Sequence, residues 1–284
     1  MELNRRDVNT LSRFMQDRDR LSKKFNDSLR NWLVEHYGDL FRLDGQRCRF
    51  TADQKRRLKE ELHKDYPRFN WLQGLTSGME RLAMASLLNQ EKLADIRPDD
   101  QYVLVRQVAG DFSRAGVKAG LPPQISLRLP VDMLLKANPD TLVVVENLDV
   151  FDQWQQANVG AEILDSLVLY RGHNSMTRGV KSLLQQVPPQ TRVVLFCDLD
   201  PKGLEMGFTT PGNPQLLLPV TLDEALALRS NGGIFKKQAR ARAFLQRQSA
   251  GAWKPWIDWV VKEHRAVMQQ HLLEMQVPLE AVTC

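Results

Sequence analysis

The hydrophobic positions change character along the chain. Leu11, Phe14, Leu21, Phe25, Leu29, Trp32 and Leu33 recur at spacings of three, four and seven, the period of an amphipathic helix. The spacing predicts a helical docking element over the first forty residues, interrupted in its stripe by Arg18 and stopped at Gly38. The run FRLDGQRCRF places a turn dipeptide between two short strand-like pieces, a hairpin signal. Thr51 to Gln54 then matches a capping box ahead of QKRRLKEELHKD. Residues 71–138 carry a helix (GMERLAMASLL) and two extended runs (QYVLVRQV and ISLRL) separated by Gly–Pro punctuation, a pattern compatible with a winged-helix-like region. From residue 139 the pattern becomes continuous apolar runs, TLVVV, SLVLY, TRVVLF and LLLPV, alternating with helical stretches. That alternation is the signature of an α/β fold whose parallel sheet is covered by helices on both faces. After residue 229 a Gly-containing break precedes a basic helix, KKQARARAFLQRQ. A final helix is expected from Trp253, with Trp256, Ile257, Val260, His264, Val267, Met268 and His271 on one face. The expected organisation is therefore a basic helix–hairpin–helix arm (1–70), a winged-helix-like region (71–138), an α/β domain (139–228) and C-terminal basic helices (229–284).

Composition narrows the class. The 284 residues are 43% hydrophobic and 26% charged, ordinary for a soluble globular protein, and no apolar run approaches the roughly 18 residues of a membrane span. The sequence MELNRRDVNT lacks the apolar core of a secretory signal. Cys48, Cys197 and Cys284 are odd in number and far apart, which suggests reduced thiols. A cytoplasmic protein is expected, with no membrane association. Charge is uneven: residues 1–70 hold 17 Lys/Arg against 12 Asp/Glu, residues 71–228 hold 13 against 18, and residues 229–284 hold 9 against 4. Basic flanks around an acidic centre suit a polyanion held beside a cation-binding acidic site. They are equally what solvated helix faces look like.

The acidic centre includes FCDLDPKG, residues 196–203, where Asp198 and Asp200 follow an apolar strand and precede a turn. Residues two apart on a strand face the same way, and two like charges held close raise one pKa unless a cation compensates. Mg²⁺ or Mn²⁺ with oxygen ligands does so. Glu146, at the end of an earlier strand of the same sheet, supplies a third carboxylate or a general base. Taken alone, the aspartates would equally suit a turn and a helix N-cap.

A strand ending in Glu, followed some fifty residues later by Asp-Leu-Asp-Pro-Lys-Gly, resembles the toprim fold of topoisomerases, primases and several nucleases. DLDPKG is similar to the form in the topoisomerase VI A subunit and its relatives. VVVENLDVF is closer to the JetD (MksG) subunit of Wadjet plasmid-defence systems, in which an SMC-type motor delivers DNA to a toprim nuclease. The resemblance covers about 142–228. It implies a metal-dependent DNA endonuclease with Glu146, Asp198 and Asp200 as catalytic residues and metal ligands. It also matches Gly203 and Gly172 to family glycines, and Glu205, read as lying on the first turn of the next helix, is a candidate contact for a second cation. Implied partners are double-stranded DNA, an SMC-type ATPase complex and a second copy of the chain. Tyr37, Tyr66, Tyr102 and Tyr170 carry no version of the topoisomerase tyrosine motif, so water rather than tyrosine is the expected nucleophile. Where JetD-like proteins tend to carry further acids near the C-terminus, this chain has Met268-Gln269-Gln270-His271. Lys202 and His173 are secondary candidates for phosphate neutralisation and proton transfer. The alternative is a toprim-like subunit that binds DNA or a partner and cuts nothing. A haloacid-dehalogenase-type phosphatase is disfavoured, because Pro-Lys-Gly rather than a polar pair follows the aspartates.

Overall fold

The computed structural model of the chain describes residues 3–284 apart from 89–92, 95, 97, 118–120, 123–124 and 173–176. His173 lies outside the described residues. The chain divides into two compact units, residues 1–98 and 99–284.

The first unit runs α1 (Arg5–Gln16), β1 (Ser22–Lys24), α2 (Asp27–Tyr37), β2 (Arg42–Asp44), β3 (Arg47–Arg49), α3 (Ala52–Asp65) and α4 (Arg81–Leu87). The single helical element expected over the first forty residues is two helices with a strand between them. The polar stretch Asp17–Arg20 ends α1, and the Lys55 ammonium, above the Phe14 ring, fixes that turn by donating to the carbonyls of Asp17 and Arg20. Asn26 caps α2 by accepting from Leu29 N at 2.8 Å. Asp7, fully buried in α1, accepts from Asn26 Nδ2 at 2.7 Å and Ser28 Oγ at 3.1 Å, which ties the two helices together. The expected hairpin is β2–β3, turning at Gly45 with φ +58. β1 adds antiparallel to β3. The Thr51–Gln54 capping box is formed in both directions. Leu11, Phe14, Phe25, Leu29, Trp32, Leu33, Leu58 and Leu62 are buried in this unit's own core.

The second unit begins with α5 (Pro98–Gln101), β4 (Tyr102–Arg106), β5 (Ser126–Pro130), α6 (Val131–Ala137), β6 (Thr141–Val145), α7 (Leu148–Asp152), α8 (Ala161–Leu164) and β7 (Leu167–Tyr170). It continues with α9 (Thr177–Leu184), β8 (Arg192–Phe196), α10 (Pro201–Thr209), β9 (Gln215–Pro219), α11 (Glu224–Leu228), α12 (Gly232–Lys237) and α13 (Ala239–Leu245). It closes with α14 (Lys254–Lys262), α15 (Gln269–Glu274) and β10 (Leu279–Val282). Ten strands form two sheets among the described residues, and the larger has seven in the order β10-β9-β8-β6-β7-β4-β5. Its four central strands are parallel and come from the four apolar runs read in the sequence. They are apolar throughout because helices cover both faces.

Three expectations are corrected. β4 and β5, assigned to a separate winged-helix-like region, pair antiparallel and close the sheet's edge through β7. The basic helix after residue 229 is two helices, broken at Gln238 (φ −102, ψ 36). The final long helix stops at Lys262: His264 takes a left-handed φ of +59 and Val267 then pairs with Leu199 before α15 begins. An antiparallel edge strand, β10, follows where none was predicted. The sheet thus draws strands from three of the four expected segments, since unpaired edges of buried strands need covering wherever in the chain the partners lie. Among the described residues the division into two compact units falls at 98/99, where the sequence pattern set boundaries at 70, 138 and 228.

Candidate functional site

The chain passes from β6 to its neighbour β7, then crosses to the opposite side of β6 to form β8. The direction of winding therefore reverses between β6 and β8, and in open α/β sheets the crevice beyond the carboxyl ends at such a switch is where ligands bind. Glu146 directly follows β6, Arg171 directly follows β7, and Asp198 lies two residues beyond β8. The ladder extends one residue past the strands: Glu146 N donates to Phe196 O at 3.1 Å and Arg171 N to Val145 O at 2.8 Å. Three charged side chains from three adjacent strands are thus brought to one edge.

Glu146 is held by Arg171, Oε1 to Nη1 at 3.1 Å, with both side chains partly exposed. Asp198 accepts from the Gln269 backbone N at 2.8 Å. Its carboxyl is pushed up to about 7, chiefly by burial and further by the charges of Glu146 and Asp200, against the lowering effect of the Gln269 N–H. The segment between the aspartates is clamped by the bridge of Leu199 to Val267, with N···O distances of 2.8 and 3.0 Å.

Asp200 occupies a different environment. It is 3% exposed and is the N-cap of α10, where Oδ1 accepts from Gly203 N at 2.7 Å. Oδ2 accepts from Gln238 Nε2 at 2.5 Å, and the same amide's oxygen accepts from Lys202 N at 2.9 Å. Burial raises the Asp200 pKa and these donors oppose the rise. Gly203 is required here by close approach: a Cβ would lie 2.0 Å from Asp198 O. Because β8 ends at Phe196, both aspartates lie beyond the strand and are held by different elements. Glu205 is on the second turn of α10, not the first, and its carboxylate pairs with Lys202 Nζ at 2.5 Å. Among the described residues no three His, Cys, Asp or Glu gather closely enough to hold a metal ion. The donor chemistry suits a hard cation held by a carboxylate pair, Glu146 with Asp198, which is what Mg²⁺ typically takes from a protein. Asp200, both of whose carboxylate oxygens already accept hydrogen bonds, is the least available of the three predicted acids, and Glu205 is paired with Lys202.

Gln269, fully buried, connects the strand ends. Its Oε1 accepts from Asn147 N at 2.9 Å and its Nε2 donates to Phe196 O at 2.6 Å, while its backbone serves Asp198. The sequence drew attention to this position only as an amide where acids were expected. Arg171 and Gln238 were missed. The available signals were a charged residue at the end of the apolar run SLVLY and one amide inside KKQARAR. Cys197, buried beside the acids, has its thiol pushed up by burial first and by Glu146 second, so it stays protonated. Tyr170 is 4% exposed and its hydroxyl is raised by burial, which makes it a poor nucleophile.

A family model described as a domain of unknown function (DUF7281) matches residues 100–281. No curated relative matches the chain. The matched span runs nearly end to end through the second unit and contains the seven-stranded sheet but for the last residue of β10, together with the crevice and Gln269. The chain belongs to the DUF7281 family.

Proposed function

We propose that the crevice beyond β6 and β8 binds Mg²⁺ or Mn²⁺ through Glu146 and Asp198, and that the protein is a toprim-like, JetD-like DNA endonuclease working with an SMC-type ATPase. The observation that carries this reading is the meeting of two acids, one with a carboxyl pKa raised to about 7, at the switch point of a parallel sheet. When bound, such a cation polarises a phosphoryl oxygen and lowers the pKa of an attacking water. The protein's part is positioning. The Gln269 N–H and the Leu199–Val267 bridge hold Asp198 in place, and Arg171 balances Glu146 and supplies a cation for a phosphate oxygen. Asp200 fixes the start of α10 and adds negative potential at Asp198. Water is the nucleophile in this reading, and the basic segments bind DNA phosphates without reading sequence. No helix among the described residues is long and apolar enough to cross a membrane.

A second reading is favoured by one observation: each carboxylate already has a protein partner, Arg171 for Glu146, Gln269 N for Asp198, and Gly203 with Gln238 for Asp200. This arrangement also suits a subunit that binds DNA or a partner without cutting. Supercoiled plasmid incubated with Mn²⁺ and the full chain, with and without any SMC-type ATPase encoded beside it, separates the two. Nicked or linear product that disappears in Asp198→Ala supports the nuclease. Intact plasmid in both conditions supports the non-catalytic subunit.

A further inference from the structure

A cleft of about 320 Å³ opens between α9 and α10, sharing Arg171 and Cys197 with the surroundings of the acid pair. Its floor is the sheet itself, Val144 from β6 and Leu195 from β8, with Met206 of α10 at the side. Three cations line it: Arg171 after β7, Lys181 on α9 and Lys202 at the start of α10. No carboxylate is among the described residues of its lining. The acids that pair with two of these cations, Glu146 and Glu205, lie outside it, and Lys181 is exposed. With Arg171 and Lys202 paired to those acids, Lys181 leaves the lining net positive, and positive charge beside a low-dielectric floor favours an anion.

The floor says that the anion carries an apolar part. Val144, Leu195 and Met206, each almost wholly buried, make the inner end of the cleft apolar, and methionine adapts well to an aromatic ring. Thr177, Thr209 and Thr210 lie in the same walls, so the ring should also carry polar edges, unlike an acyl chain. The volume sits at the small end of ligand pockets, which run from about 300 Å³, the size class of a single nucleotide. A larger, more open hollow of about 630 Å³ lies around Thr191, Arg192 and Gln215, at the amino-terminal ends of β8 and β9. Ligand binding in open α/β sheets favours the other end.

We propose that the α9–α10 cleft binds a nucleoside phosphate, either free or as one nucleotide of a strand, with the base on the Val144–Leu195–Met206 floor and the phosphate among Arg171, Lys181 and Lys202. The test is calorimetric titration of the full chain, in excess chelator so that no cation contributes. The probes are the nucleoside monophosphates, inorganic phosphate and a 5′-phosphorylated single-stranded oligonucleotide. Saturable binding of a nucleoside monophosphate, at least about tenfold tighter than inorganic phosphate, is expected. Lys181→Glu and Lys202→Glu, both at exposed positions, should each weaken it about tenfold with unchanged circular dichroism. An oligonucleotide that binds much more tightly than the monophosphates identifies the strand as the source; equal affinities identify the free nucleotide. Three results would overturn the proposal: no saturable binding by any nucleotide or oligonucleotide, inorganic phosphate binding as tightly as a nucleotide, or affinity unchanged in both lysine variants. Because chelator removes the cation, failure of the metal reading leaves this result untouched.

Discussion

Asp198 carries the strongest electrostatic consequence of the site. A carboxyl whose native pKa is about 7 keeps a proton that the unfolded chain has released above the ordinary aspartate range. Its contribution to stability is present at low pH and is lost as pH rises from about 4 to about 7. Asp198→Asn keeps the acceptor for Gln269 N and removes the charge. In chelator, that variant's advantage over wild type in denaturant melts should grow by roughly 2–3 kcal/mol from pH 5 to pH 8. A wild-type stability that does not fall over this window would remove the buried charge from the account. Gln269 makes the complementary case. Gln269→Ala strands the Asn147 N–H and removes one of the two donors to the Phe196 carbonyl, which Glu146 N still serves, and should cost about 1–3 kcal/mol. Gln269→Glu should not restore stability at neutral pH, because a carboxylate cannot donate to Phe196 O. Urea melts of the two variants check this.

At the scale of elements, the turn from β8 into α10 decides the site. Gly203 allows the first turn of α10 to approach the Asp198 carbonyl, and Gly203→Ala should fail to fold or lose more than about 3 kcal/mol, since backbone rather than a flexible side chain is in the way. Asp200→Asn retains the N-cap acceptor for Gly203 N but no longer accepts from Gln238, and should cost less than Asp200→Ala, which loses both. Thermal melts that rank the two alike would mean that capping is not what Asp200 does. This is also where the sequence was most and least legible. The four parallel strands could be read from Thr141–Val145, Leu167–Tyr170, Arg192–Phe196 and Gln215–Pro219 because burial on both faces leaves unbroken apolar runs. The Asp200 cap was readable as one of two options from Asp-Pro-Lys-Gly. What escaped depends on contacts distant in sequence. Leu199 pairing with Val267, Gln238 reaching Asp200 and β4–β5 closing the sheet leave no periodicity for a local pattern to detect. The helices at 5–37 and 254–274 were over-extended because apolar spacing continues across Asp17–Arg20 and His264, where backbone geometry ends the helix.

At the scale of the molecule, charge and candidate chemistry are divided. Residues 1–98 hold 20 Lys/Arg against 15 Asp/Glu, whereas residues 99–284 hold 19 against 19. Each unit has its own buried core, and the family match is confined to the second. Residues 99–284 expressed alone should therefore unfold cooperatively, as followed by circular dichroism. The full chain should bind duplex DNA with an affinity that falls at least about tenfold between 50 and 200 mM salt, and without sequence preference. The second unit alone should bind more weakly and with a shallower salt slope. Equal affinity for the two, read by fluorescence anisotropy, would move the polyanion surface into the second unit, where α12 and α13 carry Lys236, Lys237 and Arg240 on exposed positions.

The central claim is that Glu146 and Asp198 together hold a divalent cation. Its most direct measurement is Mn²⁺ titration of the full chain and of Glu146→Gln/Asp198→Asn, followed by electron paramagnetic resonance of free Mn²⁺ above the native carboxyl pKa, at pH 8. The account predicts one saturable site in wild type, weakened at least about tenfold in the double variant, with Glu205→Gln close to wild type. Equal Mn²⁺ affinity in wild type and double variant, or no saturable site in wild type, would contradict it.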